Sequence, residues 1–297
     1  MNISNKNLII LNNMNFFVLG CNGMAGHTIS LYLKEQGHNV LGFGKKKSMY
    51  VNSVVGDARD TEFLKKIITE GKFDSIINCI GILNEFANMN KSLAVFLNSY
   101  LPHFLTEVTA NTYTQVIHMS TDCVFSGKRG QYTENNLRDG ETFYDRSKAL
   151  GELEDDKNIT LRNSIVGPDI NPKGIGLLNW FMQQSGEVNG FSKAMWTGQT
   201  TLQLAKTMEK AALVKANGLY NAVPDYSISK LDLLHLFNHH LREDSIKINS
   251  IEGISADKSL KRTNYDFDFL VPNYAMMIEE MADWINKHKD MYPHYKI

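Results

Sequence analysis

Three side chains in the middle of the chain could together protonate a carbonyl oxygen: Thr121, Tyr144 and Lys148. Tyr144 and Lys148 are four residues apart in a segment with a helical pattern, so they share one helix face. We expect the ammonium to lower the tyrosine pKa from about 10. The Thr121 hydroxyl could hold a carbonyl or alkoxide against the phenol while a hydride reaches carbon. Such Tyr/Lys pairs also occur by chance on helix surfaces. Whether this pair is catalytic therefore depends on the elements around it.

Thr121 is positioned by a predicted buried strand. Residues 116–119 form an apolar run, and the polar sequence around Thr121 follows it directly. Open α/β sheets bind ligands at the carboxyl ends of their strands. The threonine is therefore predicted to lie at a ligand-binding edge, with the helix of Tyr144 and Lys148 close to it in sequence.

A glycine loop near the start of the chain predicts nucleotide binding. Residues 15–19 read as a buried strand, and the sequence Gly-Cys-Asn-Gly-Met-Ala-Gly follows at residues 20–26. A strand, this loop and then a helix form the context in which glycines let a pyrophosphate approach the helix N-terminus. The alternative is a purely structural glycine turn. The predicted cofactor contacts in the loop are Gly20, Asn22, Gly23 and Met24.

The second predicted strand, residues 39–43, indicates which dinucleotide is bound. Many NAD sites place an acid after this strand, to hold the ribose hydroxyls. Here residues 45–47 are three lysines, which suit a 2′-phosphate. We therefore predict NADPH, with NADH as the alternative cofactor and a solvated basic turn as the alternative role of the lysines. Lys45, Asp57 and Ala58 are predicted at the adenosine end, and Cys79 and Gly81 near the nicotinamide.

Strands and helices alternate up to about residue 167, the pattern of a doubly wound parallel sheet. The predicted fold is a Rossmann-type α/β fold in which residues 15–167 bind NAD(P) and residues 168–297 mainly bind substrate. One helix is predicted over residues 91–110, with a buried apolar stripe that includes Tyr100. Residues 190–198 are predicted as a loop. A strand near residues 219–223 is expected to return to the sheet, and residues 274–287 to form the last helix.

Composition excludes several classes of function. The formal net charge of −1 gives no bulk attraction to nucleic acid or to an anionic membrane. No apolar run approaches the ~20 residues of a membrane span. Three widely spaced cysteines indicate neither a disulfide framework nor a zinc site, and no metal is predicted. We expect a cytoplasmic protein in which residues 1–14 form a loosely attached extension and Met14 is the natural start.

Together these motifs resemble the extended short-chain dehydrogenase/reductases, and within them the dTDP-4-dehydrorhamnose reductase group. The resemblance runs from residue 15 through nearly the whole chain. Its most specific part is the run Ser-Thr-Asp-Cys-Val-Phe-Ser-Gly at residues 120–127. The other carriers are the glycine loop, the set Tyr144, Ser147, Lys148, Gly151 and Glu152, the pair Leu161 and Arg162, and residues near 198–201 and 259–260.

The resemblance implies a function in polysaccharide biosynthesis. The implied substrate is a nucleotide-activated 4-keto-6-deoxy sugar, reduced at carbon 4 by NAD(P)H. Thr121 matches the family's catalytic Ser/Thr, Tyr144 its acid/base, and Lys148 the lysine that also holds the nicotinamide ribose. The family also implies a homodimer. Loop positions implied to contact the substrate are Phe191, Lys193, Trp196 and Thr197, with Arg262 at the diphosphate.

Cys123 departs from the family pattern, because the rhamnose-forming reductases carry tyrosine there. In GDP-fucose synthase a cysteine at this position acts as a base that epimerises the sugar, with a histidine partner. Residues 163–178 contain no histidine. Two alternatives therefore stand beside a simple reductase. One is an epimerase–reductase that uses Cys123 near the substrate. The other is a non-catalytic NADP-binding subunit, like the regulatory subunit of methionine adenosyltransferase.

Overall fold

The computed structural model describes residues 13–253 and 256–296, and its centre is a parallel sheet of seven strands. Short apolar runs supply these strands, and both faces of the sheet are covered by helices, as all-parallel sheets require. The strands are β1 (Asn15–Leu19), β2 (Asn39–Gly44), β3 (Asn52–Val55), β4 (Ser75–Asn78), β5 (Gln115–Ser120), β6 (Ile159–Arg162) and β11 (Gly218–Asn221).

The strand order is β3-β2-β1-β4-β5-β6-β11. The chain begins at the middle of the sheet, runs to one edge through β2 and β3, and returns to β4 on the other side of β1. The crevice above the carboxyl ends of β1 and β4 is therefore the topological switch point, where such sheets bind ligands. The predicted fold class is confirmed, and so is the strand that returns to the sheet.

Alternation along β1 explains the two hydrophobic cores. Phe16 and Val18 point into the larger core, which α1 (Met24–Glu35) and α8 (Thr201–Val214) cover. Phe17 and Leu19 point into the smaller core. Successive strand residues face opposite sides of a sheet, so one short apolar strand supplies both layers. The smaller core is covered by α2 (Thr61–Glu70) and α5 (Leu101–Thr109), and α2 is capped by Asp60 and not by Thr61, its first residue.

The helix predicted over residues 91–110 is present, but a π-helical turn interrupts its α-helical period. The structure has α3 (Asn84–Met89), then α4 (Lys91–Ala94), a π-helical turn over Val95–Tyr100, and α5. A π-helical turn adds a residue to the helical period and shifts which side chains face inward. Asn98 and Ser99 are consequently buried, whereas Tyr100, predicted in the buried stripe, is exposed.

The second half of the chain contains small sheets that the sequence analysis did not predict. The loop predicted at residues 190–198 is wrong, because β8 (Glu187–Phe191), β9 (Ala194–Trp196) and β10 (Gly198–Thr200) lie there. β8 pairs in parallel with β13 (Lys247–Ile251), a partner distant in sequence. The remaining elements are β7 (Ser164–Val166), α7 (Leu177–Met182), β12 (Ile228–Ser229), α9 (Lys230–Arg242), β14 (Ala256–Asp257) and α10 (Tyr274–Lys287), with α10 as predicted.

The larger core joins the two halves of the chain. It contains Phe16 of β1 together with Trp196 of β9 and Tyr274 of α10. The larger core therefore extends across the division predicted at residue 167. Of the predicted N-terminal extension, residues 1–12 lie outside the described residues, and Met14 is buried against the larger core. Every helix within the described ranges is too short or too polar to span a membrane.

Candidate active site

Thr121 lies immediately after β5, at the carboxyl edge of the sheet. Its side chain is 9% exposed and caps a short 3-10 turn over Asp122–Val124. The Thr121 hydroxyl donates to Asp122 Oδ1 at 3.1 Å and accepts from the Cys123 backbone N–H at 3.1 Å. These two bonds orient the hydroxyl at the rim of the cleft.

Tyr144 and Lys148 lie on α6 (Phe143–Ala149), a short helix with a complete capping box. Thr142 accepts from the Asp145 backbone N–H, and the Asp145 carboxylate accepts from the Thr142 backbone N–H. Acidic and hydroxyl caps of this kind stabilise a helix start. Both Tyr144 and Lys148 are buried on the same face of α6, as the four-residue spacing predicts.

The π-helical turn holds α6 in place through Ser147. Asn98 Nδ2 donates to Ser147 Oγ at 3.0 Å, and Ser99 Oγ donates to the Ser147 carbonyl at 2.7 Å. Asn98 also bonds both backbone groups of Ile82. A Cβ at Gly151 would lie 1.9 Å from the Asn98 carbonyl oxygen, so only glycine allows this approach. The turn thus connects the exit of β4 to the helix of Tyr144 and Lys148.

The expected lowering of the Tyr144 pKa is not what the structure gives. Burial is the main effect and raises the pKa of Tyr144 well above its usual value, with Cys123 and Asp122 adding to the increase. The Thr121 hydroxyl opposes it. The Lys148 ammonium donates to the Met119 carbonyl. Tyr144 is therefore a protonated phenol at neutral pH.

Lys148 is surrounded by β5 and the exit of β4. Its Nζ donates to the Met119 carbonyl at 2.7 Å and lies 3.4 Å from His118 Nε2. Asn78 lies 3.3 Å from the other ring nitrogen of His118. Burial lowers the pKa of Lys148 to about 8, although the charges of Glu152 and Cys79 act in the opposite direction. Burial also lowers the pKa of His118, which is therefore neutral.

A buried ion pair connects the end of β5 with the segment after α6. Glu152 accepts two bonds from Arg162, at 2.9 and 2.7 Å, and one from Ser120 Oγ at 2.6 Å. Arg138 donates to the same carboxylate. Burial would raise the pKa of Glu152, but the hydrogen bonds and nearby arginines keep it below its usual value. Ser120 directly precedes Thr121, so this ion pair helps to hold the threonine in register with α6.

Thr121, Tyr144 and Lys148 line a cleft of about 390 Å³ at the switch point. The glycine turn and the exit of β4 supply the opposite wall. The residues that line the cleft include Gly23, Met24, Cys79, Gly81, Thr121, Cys123, Tyr144, Lys148 and Asn163.

The glycine turn has the shape that a dinucleotide pyrophosphate requires. Gly20 has φ +80°, a conformation that favours glycine. A Cβ at Gly26 would lie 2.1 Å from the Gly20 carbonyl oxygen, so the turn can approach α1 only without that side chain. Among the residues that the structure describes, no side chain caps the N-terminus of α1, which faces the cleft through Gly23 and Met24. The residues present therefore fit NAD(P).

The adenosine end of the predicted site brings Lys45 and Asp57 together and adds Arg59. Lys45 Nζ is 3.9 Å from Asp57, and Arg59 donates twice to the same carboxylate, at 3.0 and 2.6 Å. Hydrogen bonding to Arg59 lowers the pKa of Asp57 to about 2. Asn22 Nδ2 donates to the Lys46 carbonyl at 2.8 Å and so joins the glycine turn to the lysines. Ala58 is buried in the smaller core.

Cys123 lines the cleft, but its thiol is not prepared to act as a base. Burial, with Asp122 as the second cause, raises the pKa of Cys123 to about 12. A nucleophilic or basic cysteine needs the opposite shift. At neutral pH this side chain is a neutral thiol.

The residues implied to contact substrate are not gathered at the cleft. Trp196 packs against Tyr274 in the larger core, and Thr197 is fully buried and accepts from the Leu260 backbone N–H at 2.8 Å. Arg262 donates to three backbone carbonyls, those of Asn264, Phe267 and Phe269. The other two are more exposed, and Lys193 pairs with Glu252 at 2.8 Å whereas Phe191 ends β8.

Four residues around the site were missed by the sequence analysis: Arg59, Asn98, His118 and Asn163. Arg59 lies two residues after Asp57, a spacing that could have suggested an ion pair. Asn98 is a polar residue inside an apolar helical stripe, which is a detectable signal. His118 lies in the apolar run before Thr121. Asn163 follows β6 directly, and nothing in the sequence around it indicates a residue of the site.

Comparison with known proteins agrees with this geometry. Residues 14–166 match the family model described as the RmlD substrate binding domain. A probable low-salt glycan biosynthesis reductase of Haloferax volcanii is 32% identical over 140 residues, 46% of this chain and 47% of that protein. A dTDP-4-dehydrorhamnose reductase of Mycobacterium tuberculosis is 27% identical over 141 residues, 46% of this chain and 43% of that protein. The matches thus span about half the length of these curated relatives.

Solved structures share the fold over most of the chain. A dTDP-4-dehydrorhamnose reductase of Bacillus anthracis, solved in complex with NADP, superposes with a TM-score of 0.77. The sequence identity is 17%, and the match covers 91% of this chain and 98% of that one. At this identity the likeness establishes the Rossmann-type fold.

Proposed function

The chain belongs to the RmlD substrate binding domain family, and on this premise we propose that it reduces the keto group of a sugar nucleotide with NADPH. One observation carries the proposal. Thr121, Tyr144 and Lys148 converge on a single cleft whose other wall is the glycine turn. A dinucleotide site beside a buried hydroxyl donor and a buried lysine is the arrangement that carbonyl reduction needs.

Each of these three side chains has a distinct role in the proposal. NADPH, when bound, supplies the hydride. Tyr144 donates a proton to the carbonyl oxygen, and its raised pKa keeps that proton available at neutral pH. Thr121 holds the same oxygen through its hydroxyl. Lys148 would hold the nicotinamide ribose through its ammonium, which in this structure donates to the Met119 carbonyl.

The substrate class is proposed from the relatives. Two of them are named as a dTDP-4-dehydrorhamnose reductase and a glycan biosynthesis reductase. We therefore propose a nucleotide-activated 4-keto-6-deoxy sugar, with Tyr144 protonating the oxygen on carbon 4. Residues 15–167 would hold the cofactor, and residues 168–297 would mainly close over the sugar nucleotide. Phe191 and Lys193 lie outside the cleft but are both exposed, and they stay proposed contacts for the substrate's nucleotide end.

The two alternatives have less support. An epimerase needs a base beside the keto group, and the raised pKa of Cys123 argues against the thiol in that role. A non-catalytic binding subunit has no need of the Tyr144 and Lys148 pair, both members of which are buried at the cleft. The reductase proposal accounts for both features.

A panel of 4-keto sugar nucleotides with NADPH tests the proposal. The absorbance of the reduced nicotinamide follows the consumption of NADPH. Mass spectrometry of the products should identify a substrate that has gained two hydrogen atoms. Calorimetry on the same preparation should detect NADPH binding. NADPH binding without turnover of any sugar would favour the binding subunit, and no binding of NADPH or NADH would overturn the proposal altogether.

A further inference from the structure

Asn163 is a buried amide on the wall of the cleft. Its side chain is 2% exposed, and neither Oδ1 nor Nδ2 makes a hydrogen bond within the described part of the chain. Buried polar groups are nearly always paired, and an unpaired one costs stability. A side chain kept in this state at a cleft wall is best explained by a ligand group that pairs with it.

The position of Asn163 relative to the sheet limits what that group can be. Ser120 pairs with Arg162 in the register of β5 and β6, so the next residues, Thr121 and Asn163, lie side by side at the sheet edge. β6 is three strands from β1, roughly 14 Å at ~4.8 Å per strand. A dinucleotide that begins at the glycine turn and crosses Cys79 and Gly81 therefore brings its nicotinamide end towards Asn163.

We propose that the Asn163 side chain binds the carboxamide of the nicotinamide ring, an inference that rests on the reductase function proposed above. A primary carboxamide presents a carbonyl acceptor and an N–H donor side by side. It can therefore accept from Nδ2 and donate to Oδ1 of Asn163 at the same time, satisfying both unpaired atoms. This pairing fixes the rotation of the nicotinamide ring and so selects the ring face that is turned towards Thr121 and Tyr144.

Asn163→Leu tests this pairing because leucine has a similar volume and no polar atoms. Removing a buried amide that has no internal partner should leave the melting temperature of the free protein unchanged or raise it. NADPH should bind roughly 10- to 100-fold more weakly, the loss expected for two hydrogen bonds. Calorimetry measures the affinity and thermal unfolding measures the stability. Asn217→Leu, at an exposed residue before β11, is the matched control and should change neither.

A cofactor analogue tests the same pairing without any mutation. In 3-acetylpyridine adenine dinucleotide phosphate a methyl group replaces the carboxamide nitrogen, so the donor to Oδ1 is lost. The wild-type protein should bind this analogue more weakly than NADP⁺, and in Asn163→Leu that difference should largely disappear. This double comparison isolates the contact between the side chain and the carboxamide.

Several outcomes would overturn the assignment. Equal affinity of the wild-type protein for NADP⁺ and the acetyl analogue would remove the contact, as would unchanged NADPH binding by Asn163→Leu. An increase in the KM for the sugar alone would place Asn163 on the substrate. A marked fall in the melting temperature of free Asn163→Leu would make the amide structural. Failure of the wild-type protein to bind any nicotinamide cofactor would overturn the proposed function as well, which separates the two failures.

Discussion

Tyr144 keeps its proton at neutral pH because burial raises its pKa, and a protonated phenol is the form that a proton donor requires. Tyr144→Phe removes only the hydroxyl, so turnover should fall by a factor on the order of 10²–10⁴. NADPH affinity should change little. Steady-state kinetics and calorimetry measure the two quantities. Tyr113→Phe, at an exposed tyrosine, is the control, and near-normal turnover in Tyr144→Phe would reject the assigned role.

Lys148 predicts a pH dependence of stability that needs no substrate. Its pKa falls from 10.5 to about 8 in the folded protein because burial disfavours the charged form. Between these two values the unfolded chain binds more protons than the folded one, so this residue makes stability rise with pH. Denaturant unfolding of the free protein should show this rise in stability between about pH 8, the pKa of the folded lysine, and roughly pH 10, near the pKa of the unfolded lysine. Lys148→Met should lack it.

Three groups from different elements face Lys148, and two of them limit the shift of its pKa. Neutral His118 comes from β5, Cys79 from the exit of β4, and Glu152 from the segment after α6. The charges of Glu152 and Cys79 raise the lysine pKa and limit the shift. An identical pH dependence in the wild-type protein and in Lys148→Met would show that Lys148 titrates normally.

The state of Cys123 leads us to expect no exchange with solvent of the proton on the carbon beside the keto group. With a pKa of about 12, the thiol is protonated near pH 7 and does not abstract a proton beside the keto group. Reduction in D₂O should therefore give a product without deuterium on the neighbouring carbons, by mass spectrometry. Cys123→Ser should turn over within a few-fold of wild type, roughly the effect expected when no catalytic proton transfer is lost. Deuterium incorporation that disappears in Cys123→Ser would restore the epimerase alternative.

At the scale of single elements, the π-helical turn is the part that most directly supports the site. Asn98 there bonds Ile82 at the exit of β4 and Ser147 on α6. Asn98→Leu would leave those partners unpaired, so the free energy of unfolding should fall by about 2–4 kcal/mol. Urea unfolding measures the change. Asn111→Leu, in an exposed turn, should stay within about 0.5 kcal/mol, and an equally small effect at Asn98 would show that the turn is not a structural link.

Which elements could be predicted follows from how local their signals are. β1 and α10 are confirmed because the apolar pattern that predicts each of them lies within its own segment. The π-helical turn was missed because apolar periodicity assumes a constant helical period. β8 was missed because its partner β13 is distant in the sequence, and short strands depend on such pairing more than on their own residues.

At the scale of the whole molecule, the sequence predicted which residues could do chemistry better than it predicted their electrostatics. Thr121, Tyr144 and Lys148 do meet at one cleft, as their places after β5 and on α6 required. The predicted direction of the Tyr144 pKa shift was wrong because burial, which raises this pKa, depends on the packing of every surrounding element. The same reason applies to Asn163, because its lack of a partner among the described residues could be recognised only after those residues were placed.

The near-neutral net charge means that cofactor choice depends on where charges lie and not on their sum. Lys45, Lys46 and Lys47 are exposed beside an Asp57 whose charge is paired with Arg59. Changing all three lysines to serine should weaken NADPH roughly 5- to 100-fold, as expected for several surface ion pairs, and NADH much less. The loss should shrink at high salt.

A second triple variant separates a local contact at residues 45–47 from a change in net charge. Lys65, Lys66 and Lys72 are also exposed, on α2 and just after it. Replacing them with serine removes the same total charge at a distance from the glycine turn. Calorimetric titrations of both variants with NADPH and NADH should show weaker NADPH binding only for residues 45–47. Equal losses for both cofactors would show that the lysines do not read the 2′-phosphate, and equal losses for both variants would assign the effect to net charge.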